Sequence, residues 1–242
     1  MMLTKEELVR YERQIIVPEW GKAGQEKLKK SKILVAGAGG LGSALLTYLA
    51  IAGVGKIRVI DGDKVELGNL NRQMLHADKD IGREKVDSAK ERLESLNPDI
   101  QIEAVGEIIT EENIFDLVED YPIVDAMDNL PARYLLNRVT VRRNLPLFHG
   151  AVYGFEGRAT TIIPGDTPCL KCLYQGVLPG KTPVVGVTPG IIGCIQATEV
   201  IKYIIGIGEL LTNRLLIYDG LGMRFNEVKV KRDPNCEECK AK

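Results

Sequence analysis

The chain of 242 residues has almost no charge imbalance, with 32 Lys and Arg against 33 Asp and Glu and a net charge of −1. Without a global field of either sign, neither nucleic acid nor an anionic membrane is expected as a partner, though local cationic sites stay open. Long uninterrupted apolar runs are missing too. The most apolar region, residues 190–211, is broken by Glu199, Lys202 and Glu209, which marks a buried helix rather than a membrane span. Residues 1–14 carry charges throughout and hold no apolar core segment, so no signal peptide is expected and a cytoplasmic location is. No internal repeat or low-complexity tract occurs. Cysteine is sparse, five in all, and in a reducing compartment these are thiols or metal ligands rather than disulfides.

What is present is organised around residues 32–61. The apolar run Ile33-Leu34-Val35-Ala36 leads into Gly37-Ala38-Gly39-Gly40-Leu41-Gly42, then a small-residue helix over 41–52 and a second apolar run ending on Asp61. In such a strand, turn, helix, strand unit the glycines let backbone N–H groups and the helix N-terminus approach a phosphate, and Asp61 stands where a carboxylate accepts ribose hydroxyls. A nucleotide is expected here. The stretch alone leaves NAD, FAD and ATP open.

Directly after Asp61, the stretch from Asp63 through Gly68, Asn69, Asn71, Arg72 and Gln73 brings two amides and an arginine to the same place. A triphosphate carries roughly three to four negative charges and suits a bidentate guanidinium, whereas an NAD site has less need of one. Residues 81–97 read as a helix with Val86, Ala89, Leu93 and Leu96 on one face, stopped by Asn97-Pro98. Lys85, near its start, is either a second cation for the site or a surface lysine. A strand (100–105), a helix (111–119) and a strand (122–127) run into Asp128-Asn129, at the sheet edge where open α/β folds place ligands. Asp128 can cap the helix beginning near Pro131 or hold Mg²⁺.

A helix over 132–144 and a strand over 146–152 complete the parallel part. His149 and His76 read as hydrogen-bonded core histidines. From Gly157 the pattern changes to strands at 158–164, 214–218 and 223–231 joined by Gly-rich turns, with a crossover loop at 179–187 and a long apolar helix at 190–206. These strands are expected to extend the sheet in antiparallel fashion. Residues 4–31 read as two short helices split by Pro18, with Arg13 on the surface. The fold expected is therefore an α/β, Rossmann-like doubly wound sheet in a single domain. Its parts are N-terminal helices (1–31), a nucleotide-binding half (32–152) and an antiparallel extension (153–242).

The extension also carries Cys169-Leu170-Lys171-Cys172 and Cys236-Glu237-Glu238-Cys239. Two C-x-x-C pairs supply four thiolates for a closed, structural Zn²⁺ site, with a redox dithiol and an iron–sulfur cluster as rivals. Cys194, in an apolar helix, is expected to be a buried thiol.

Several of these stretches together resemble the MoeB/ThiF/HesA family, the E1-like relatives of ubiquitin-activating enzymes, and the MoeB type most. They are Arg10-Tyr11-x-Arg13-Gln14, Gly37-x-Gly-Gly-Leu-Gly42, Asp61-x-Asp63, Asn69-Leu-Asn-Arg-Gln73, Lys85, Asp128-Asn129, both C-x-x-C pairs and Gly193-x-x-Gln196-Ala197-x-Glu199-x-x-Lys202. The resemblance runs in order along nearly the whole chain. It implies an ATP- and Mg²⁺-dependent adenylyltransferase that activates the C-terminal Gly-Gly carboxylate of a ubiquitin-like sulfur-carrier protein and releases pyrophosphate. It also implies nucleotide contacts from Gly39, Gly40, Gly42, Asp61, Asp63, Gly68, Asn69, Asn71, Arg72, Lys85, Asp128 and Asn129. Asp128 would hold Mg²⁺, and Arg13 would reach the partner's site across a homodimer. Arg72, Lys85, Asp128 and Arg13 would carry the chemistry by offsetting the repulsion of two anions brought together.

Two departures stand out. Gly68 replaces a serine found in many relatives, and residues 179–189 contain no cysteine where thioester-forming relatives carry one. The reaction is thus expected to stop at the acyl-adenylate. The competing readings are a tRNA-modifying dehydratase of the same superfamily and, from the residues alone, an NAD-dependent oxidoreductase.

Overall fold

Strand β1 (Lys32–Ala36) is buried from both sides, Ile33 and Val35 in one apolar cluster, Leu34 and Ala36 in another. A strand covered in this way needs helices on both faces of its sheet. In the computed structural model, which describes residues 2–174 and 183–239, the rest of the chain supplies them.

Helices α1 (Lys5–Arg10), α2 (Glu12–Ile15) and α3 (Gly21–Lys30) precede β1. Then come α4 (Gly40–Ala52), β2 (Lys56–Ile60), α5 (Lys85–Leu96), β3 (Gln101–Val105), α6 (Ile114–Val118), β4 (Ile123–Asp125), α7 (Leu130–Arg143) and β5 (Leu147–Tyr153). The chain ends with β6 (Glu156–Ile162), α8 (Leu170–Leu173), α9 (Val187–Ile205), β7 (Arg214–Asp219) and β8 (Arg224–Lys229). The sheet order is β3-β2-β1-β4-β5-β6-β7-β8. Pairings among β1 to β5 are parallel, and those from β5 onward are antiparallel. The doubly wound sheet with its antiparallel extension is as expected. One face is covered by α3, α4, α5 and α9, the other by α6, α7 and α8. Among the described residues no helix is long and apolar enough to cross a membrane.

Several boundaries differ from the sequence reading, each for a local reason. Three helices precede β1 rather than two, because the chain turns at Tyr11 to bury its ring and lets its hydroxyl accept from Asn97 Nδ2 at 2.8 Å. Helix α5 begins at Lys85, not at 81, since Gly82 and Arg83 are tied to Val65 and Glu84 bridges to Lys64. Helix α6 is short because Asn113 turns its side-chain oxygen back to the Thr110 N–H at 2.8 Å, a local bond that competes with helix. Strand β4 stops at Asp125, whose Oδ1 accepts the Met127 N–H at 3.0 Å and bends the chain out of the ladder. Residues 179–182 of the crossover loop expected at 179–187 lie outside the described residues.

Two glycines make the turn after β1. Gly37 has φ +105°, and a Cβ there would meet Ala126 O at 2.6 Å, while a Cβ on Gly42 would lie 2.1 Å from Gly37 O. Both are close approaches to backbone, which cannot swing aside. Gly42→Ala is therefore expected to cost about 2–3 kcal/mol, the range for overpacking, and thermal unfolding would show a drop in Tm of several degrees.

Candidate active site

Strand order reverses between β1 and β4, and at that point the carboxyl ends of β1, β2 and β4 open a cleft of about 350 Å³. Open α/β sheets bind ligands in such a crevice. The turn after β1 contributes Gly37, Gly39 and Gly40, the loop after β2 contributes Asp61, Gly62 and Asp63, and the loop after β4 contributes Met127, Asp128 and Asn129. Arg72, Gln73 and Lys85 close one side, with Pro189 from the first turn of α9 packed near Gly40. An apolar end is formed by Ile108, Ile109, Met127 and Leu135.

The glycine turn is held by the acid that follows β2. Asp61 Oδ2 accepts the Ala38 N–H at 2.8 Å, and its Oδ1 accepts the Asp63 N–H at 2.9 Å. Lys85 is buried to 6 % exposure, its Nζ 2.8 Å from Asp63 Oδ2 and 4.0 Å from Asp61 Oδ1. Of the two roles open to this lysine in the sequence, it takes the cleft. The Arg72 guanidinium is steadied by Gly68 O at 2.8 Å and Asn71 Oδ1 at 2.9 Å.

Asp128 is exposed, and its nearest polar contact is Asn129 Nδ2 at 3.4 Å. It does not cap α7. Asn129 does, its Oδ1 accepting the Ala132 N–H at 3.0 Å. The capping alternative weighed for Asp128 thus falls to its neighbour, and the Asp128 carboxylate stays available to the cleft. Among the described residues four carboxylates line the cleft (Asp61, Asp63, Glu107 and Asp128) against two cations, Arg72 and Lys85. The described lining thus carries more acidic than basic side chains.

Other candidate residues lie off the cleft. Gly42 packs on Gly37, and Gly68 and Asn69 form a 3₁₀ turn in which Asn69 Oδ1 accepts the Glu66 N–H at 3.1 Å. Asn71 lines an adjoining groove of about 900 Å³ with Arg72, Met74, Val187, Ile191 and Cys194. Cys194 is half-buried there rather than fully buried, because its side of α9 faces that groove. Arg13 is exposed on α2, and Gln14 beside it donates to Ala52 O, at the end of α4 opposite Gly40. Gln73, by contrast, lines the cleft, 4 % exposed and with no partner for its Oε1 among the described residues, although the sequence offers it only within the Asn69–Gln73 motif. Its place next to Arg72 was the available signal. His76 and His149 are buried and hydrogen-bonded, as expected, and burial pushes both pKa values down.

Away from the cleft the four paired cysteines converge. Sγ separations are 4.0 Å for Cys169–Cys172, 3.7 Å for Cys169–Cys236 and 3.5 Å for Cys172–Cys239, and all four sulfurs lie within 4.8 Å of one another. Sulfurs arranged tetrahedrally about 2.3 Å from a zinc have edges of about 3.8 Å, so the donor set fits that ion. Burial pushes the Cys169 thiol up to about 11. A cation would be needed to hold four thiolates here. The cluster ties the tail to the segment after β6, helped by Arg232, whose guanidinium donates to Gly165 O and Thr167 O. Purified protein is expected to carry about one zinc per chain by elemental analysis, and Cys236→Ser to lose it with a lowered Tm.

Fold and cleft together define a doubly wound α/β protein with a polyanion-sized site at its switch point. The ThiF family model matches residues 11–238, and the chain belongs to that family. The SAMP-activating enzyme E1 of Haloferax volcanii is 44 % identical over 247 residues, covering 99 % of this chain and 91 % of that protein. The sulfur carrier protein adenylyltransferase of Thermus thermophilus is 42 % identical over 252 residues, covering 99 % and 93 %. An adenylyltransferase and sulfurtransferase of Arabidopsis thaliana is 40 % identical, but this chain spans 53 % of its length. Among solved structures, Escherichia coli MccB with AMPCPP and MccA matches with TM-score 0.86 at 25 % identity, covering 95 % of this chain and 74 % of that one. PaaA matches with TM-score 0.82 at 27 % identity, covering 95 % and 75 %. The chain is an adenylyltransferase of the ThiF family.

Proposed function

We propose that this enzyme joins AMP to the C-terminal carboxylate of a small ubiquitin-like sulfur-carrier protein ending in Gly-Gly. A carboxylate oxygen attacks the α-phosphorus of ATP, the bond to the bridging oxygen breaks, and pyrophosphate leaves with the electron pair. The carrier is left as an acyl-adenylate. The names of the Haloferax and Thermus relatives support this substrate class. The observation that carries the reading is the exposed Asp128 carboxylate, not engaged in capping α7 and facing a cleft that also holds the glycine turn, Arg72 and Lys85.

In this reading Gly39 and Gly40 let backbone N–H groups approach the phosphates, and Asp61 and Asp63 meet the ribose side. Arg72 and Lys85 contact phosphate oxygens. Asp128 is the residue that would hold Mg²⁺, which would supply charge neutralisation on the phosphates. Such a cation suits the lining, since four carboxylates facing two cations repel a bare triphosphate. Arg13 is proposed to enter the cleft of a second copy in a homodimer. The cysteine cluster is proposed to hold Zn²⁺ as a structural ion.

Exchange of labelled pyrophosphate into ATP tests the reading. Exchange is expected only when a carrier protein with an intact Gly-Gly end is present, and to vanish when that dipeptide is removed. Exchange without any carrier, or none with carriers of the sulfur-transfer type, would sink it. With no cysteine at residues 179–189, the carrier is expected to leave as the adenylate and not as a thioester.

A further inference from the structure

Behind the cleft wall lie three ionisable side chains that make no part of its lining. Asp125 and His149 are fully buried and Arg133 is 9 % exposed. Taking charges out of water costs several kcal/mol per ion unless good geometry returns it. Here Asp125 and Arg133 both reach the backbone of Met127.

Asp125 ends β4, three residues before Asp128. Its Oδ1 accepts the Met127 N–H at 3.0 Å, and its Oδ2 accepts from His149 Nδ1 at 2.6 Å and lies 3.5 Å from Arg133 Nε. Arg133, in the first turns of α7, donates through Nη2 to Met127 O at 2.6 Å and to Gly150 O at 3.0 Å. The Met127 residue is thus held at both its N–H and its C=O, and the side chain that follows is Asp128. Gln196 of α9 adds a bond to Asp125 O at 2.8 Å from the other face of the sheet.

Burial pushes the His149 pKa down, with the Asp125 carboxylate opposing and Arg133 and Arg158 reinforcing. A carboxylate only accepts, so Nδ1 carries a proton toward Asp125, and Nε2 lies 2.8 Å from the Tyr174 hydroxyl. Tyr174 closes α8, the helix that carries Cys172, and its carbonyl accepts from Tyr134 at 2.9 Å.

We propose that Asp125, Arg133 and His149 are positioning residues that fix the Asp128 carboxylate in the cleft, with Tyr174 anchoring the set to the cysteine knuckle. This rests on the reading of Asp128 given above. A carboxylate on a loop has to be presented to its ligand without reorganisation, and the residues behind it supply that rigidity. Asp125 and Arg133 form an ion pair at 3.5 Å beside the buried His149, and hydrogen bonds of both reach the Met127 backbone.

The test is a double-mutant cycle read by calorimetry of ATP binding to the full chain, with and without Mg²⁺. Asp128→Ala is expected to weaken ATP binding in Mg²⁺ and, with one carboxylate fewer facing the triphosphate, to strengthen Mg²⁺-free binding. Asp125→Asn is expected to weaken the Mg²⁺-dependent binding about tenfold, the usual scale for groups that orient a metal ligand. In the Asp128→Ala background the same change should matter less than about twofold, because two residues acting as one unit are not additive. His149→Gln repeats the cycle if thermal unfolding shows that Asp125→Asn is not folded. Equal weakening in both backgrounds, or none in the background that keeps Asp128, overturns the positioning role alone. If Asp128→Ala binds ATP and Mg²⁺ as the wild type does, the reading of Asp128 fails and this inference with it.

Discussion

Asp128→Ala is expected to lower carrier-dependent ATP–pyrophosphate exchange by about 10³-fold, the cost of removing a group aimed at charge that develops in the transition state. The structure makes this a clean experiment. Asp128 is exposed and its nearest polar neighbour is 3.4 Å away, so its loss leaves no buried partner unsatisfied. The cap of α7 belongs to Asn129 and survives the change. Substitutions of that kind move stability by about 0.5 kcal/mol or less. The variant should therefore melt with the wild type while exchange collapses. Exchange within threefold of wild type, or a collapse accompanied by a large drop in Tm, would remove Asp128 from its role.

The contrast with Asn129→Ala sharpens it. That change removes an N-cap and is expected to cost about 1 kcal/mol of stability. Its effect on exchange should follow the disturbance of the α7 start and stay well short of the loss at Asp128. Two adjacent polar residues, both implied as nucleotide contacts, are distinguished by a single hydrogen bond, donated by the Ala132 N–H to Asn129 Oδ1.

How much of this was legible in the chain depends on the range over which each signal acts. The strand, turn and helix over residues 32–52 were readable because glycine, apolar run and helix start are consecutive, and the structure places them together. The two C-x-x-C pairs were readable as a metal set because the ligand spacing is local even though the pairs are 64 residues apart, and the sulfurs do meet. Charge balance in the cleft was not readable. Glu107 joins it from the loop after β3, brought in by the sheet order and by no feature of its own neighbourhood. The use of Asp125 was hidden for the same reason: its partners His149 and Arg133 become neighbours only through the pairing of β4 with β5 and the docking of α7. Boundaries slipped where a side chain captured backbone, as Asn113 does before α6 and Asp125 does after β4. Such bonds compete with helix and ladder hydrogen bonds, and composition does not announce which will win.

Mixing two inactive variants, Arg13→Ala and Asp128→Ala, is expected to restore activity to about one quarter of the wild-type level in a homodimer with isologous symmetry. The expectation follows from where Arg13 stands. Its neighbour Gln14 is bonded to Ala52 O at one end of α4, while Gly40 at the other end lines the cleft. A helix of 13 residues is about 20 Å long, so Arg13 is far outside the reach of its own site. Any part it plays in the chemistry must be played in another copy's cleft. On the proposed reading it has a use, because the four carboxylates of the described lining and a triphosphate together outweigh Arg72, Lys85 and one divalent cation. In a mixed dimer, the site that keeps its own Asp128 receives an intact Arg13 from the partner, and the second site lacks both. Random assortment makes half the dimers mixed, each with one working site of two, which gives the quarter. Arg13→Ala alone is expected to melt as the wild type does, since the residue is exposed. Exchange measured against mixing ratio should peak near equal amounts of the two chains. A flat baseline at every ratio, from chains shown by light scattering to have exchanged partners, would mean that Arg13 is not shared and that each cleft closes its charge balance from within one chain.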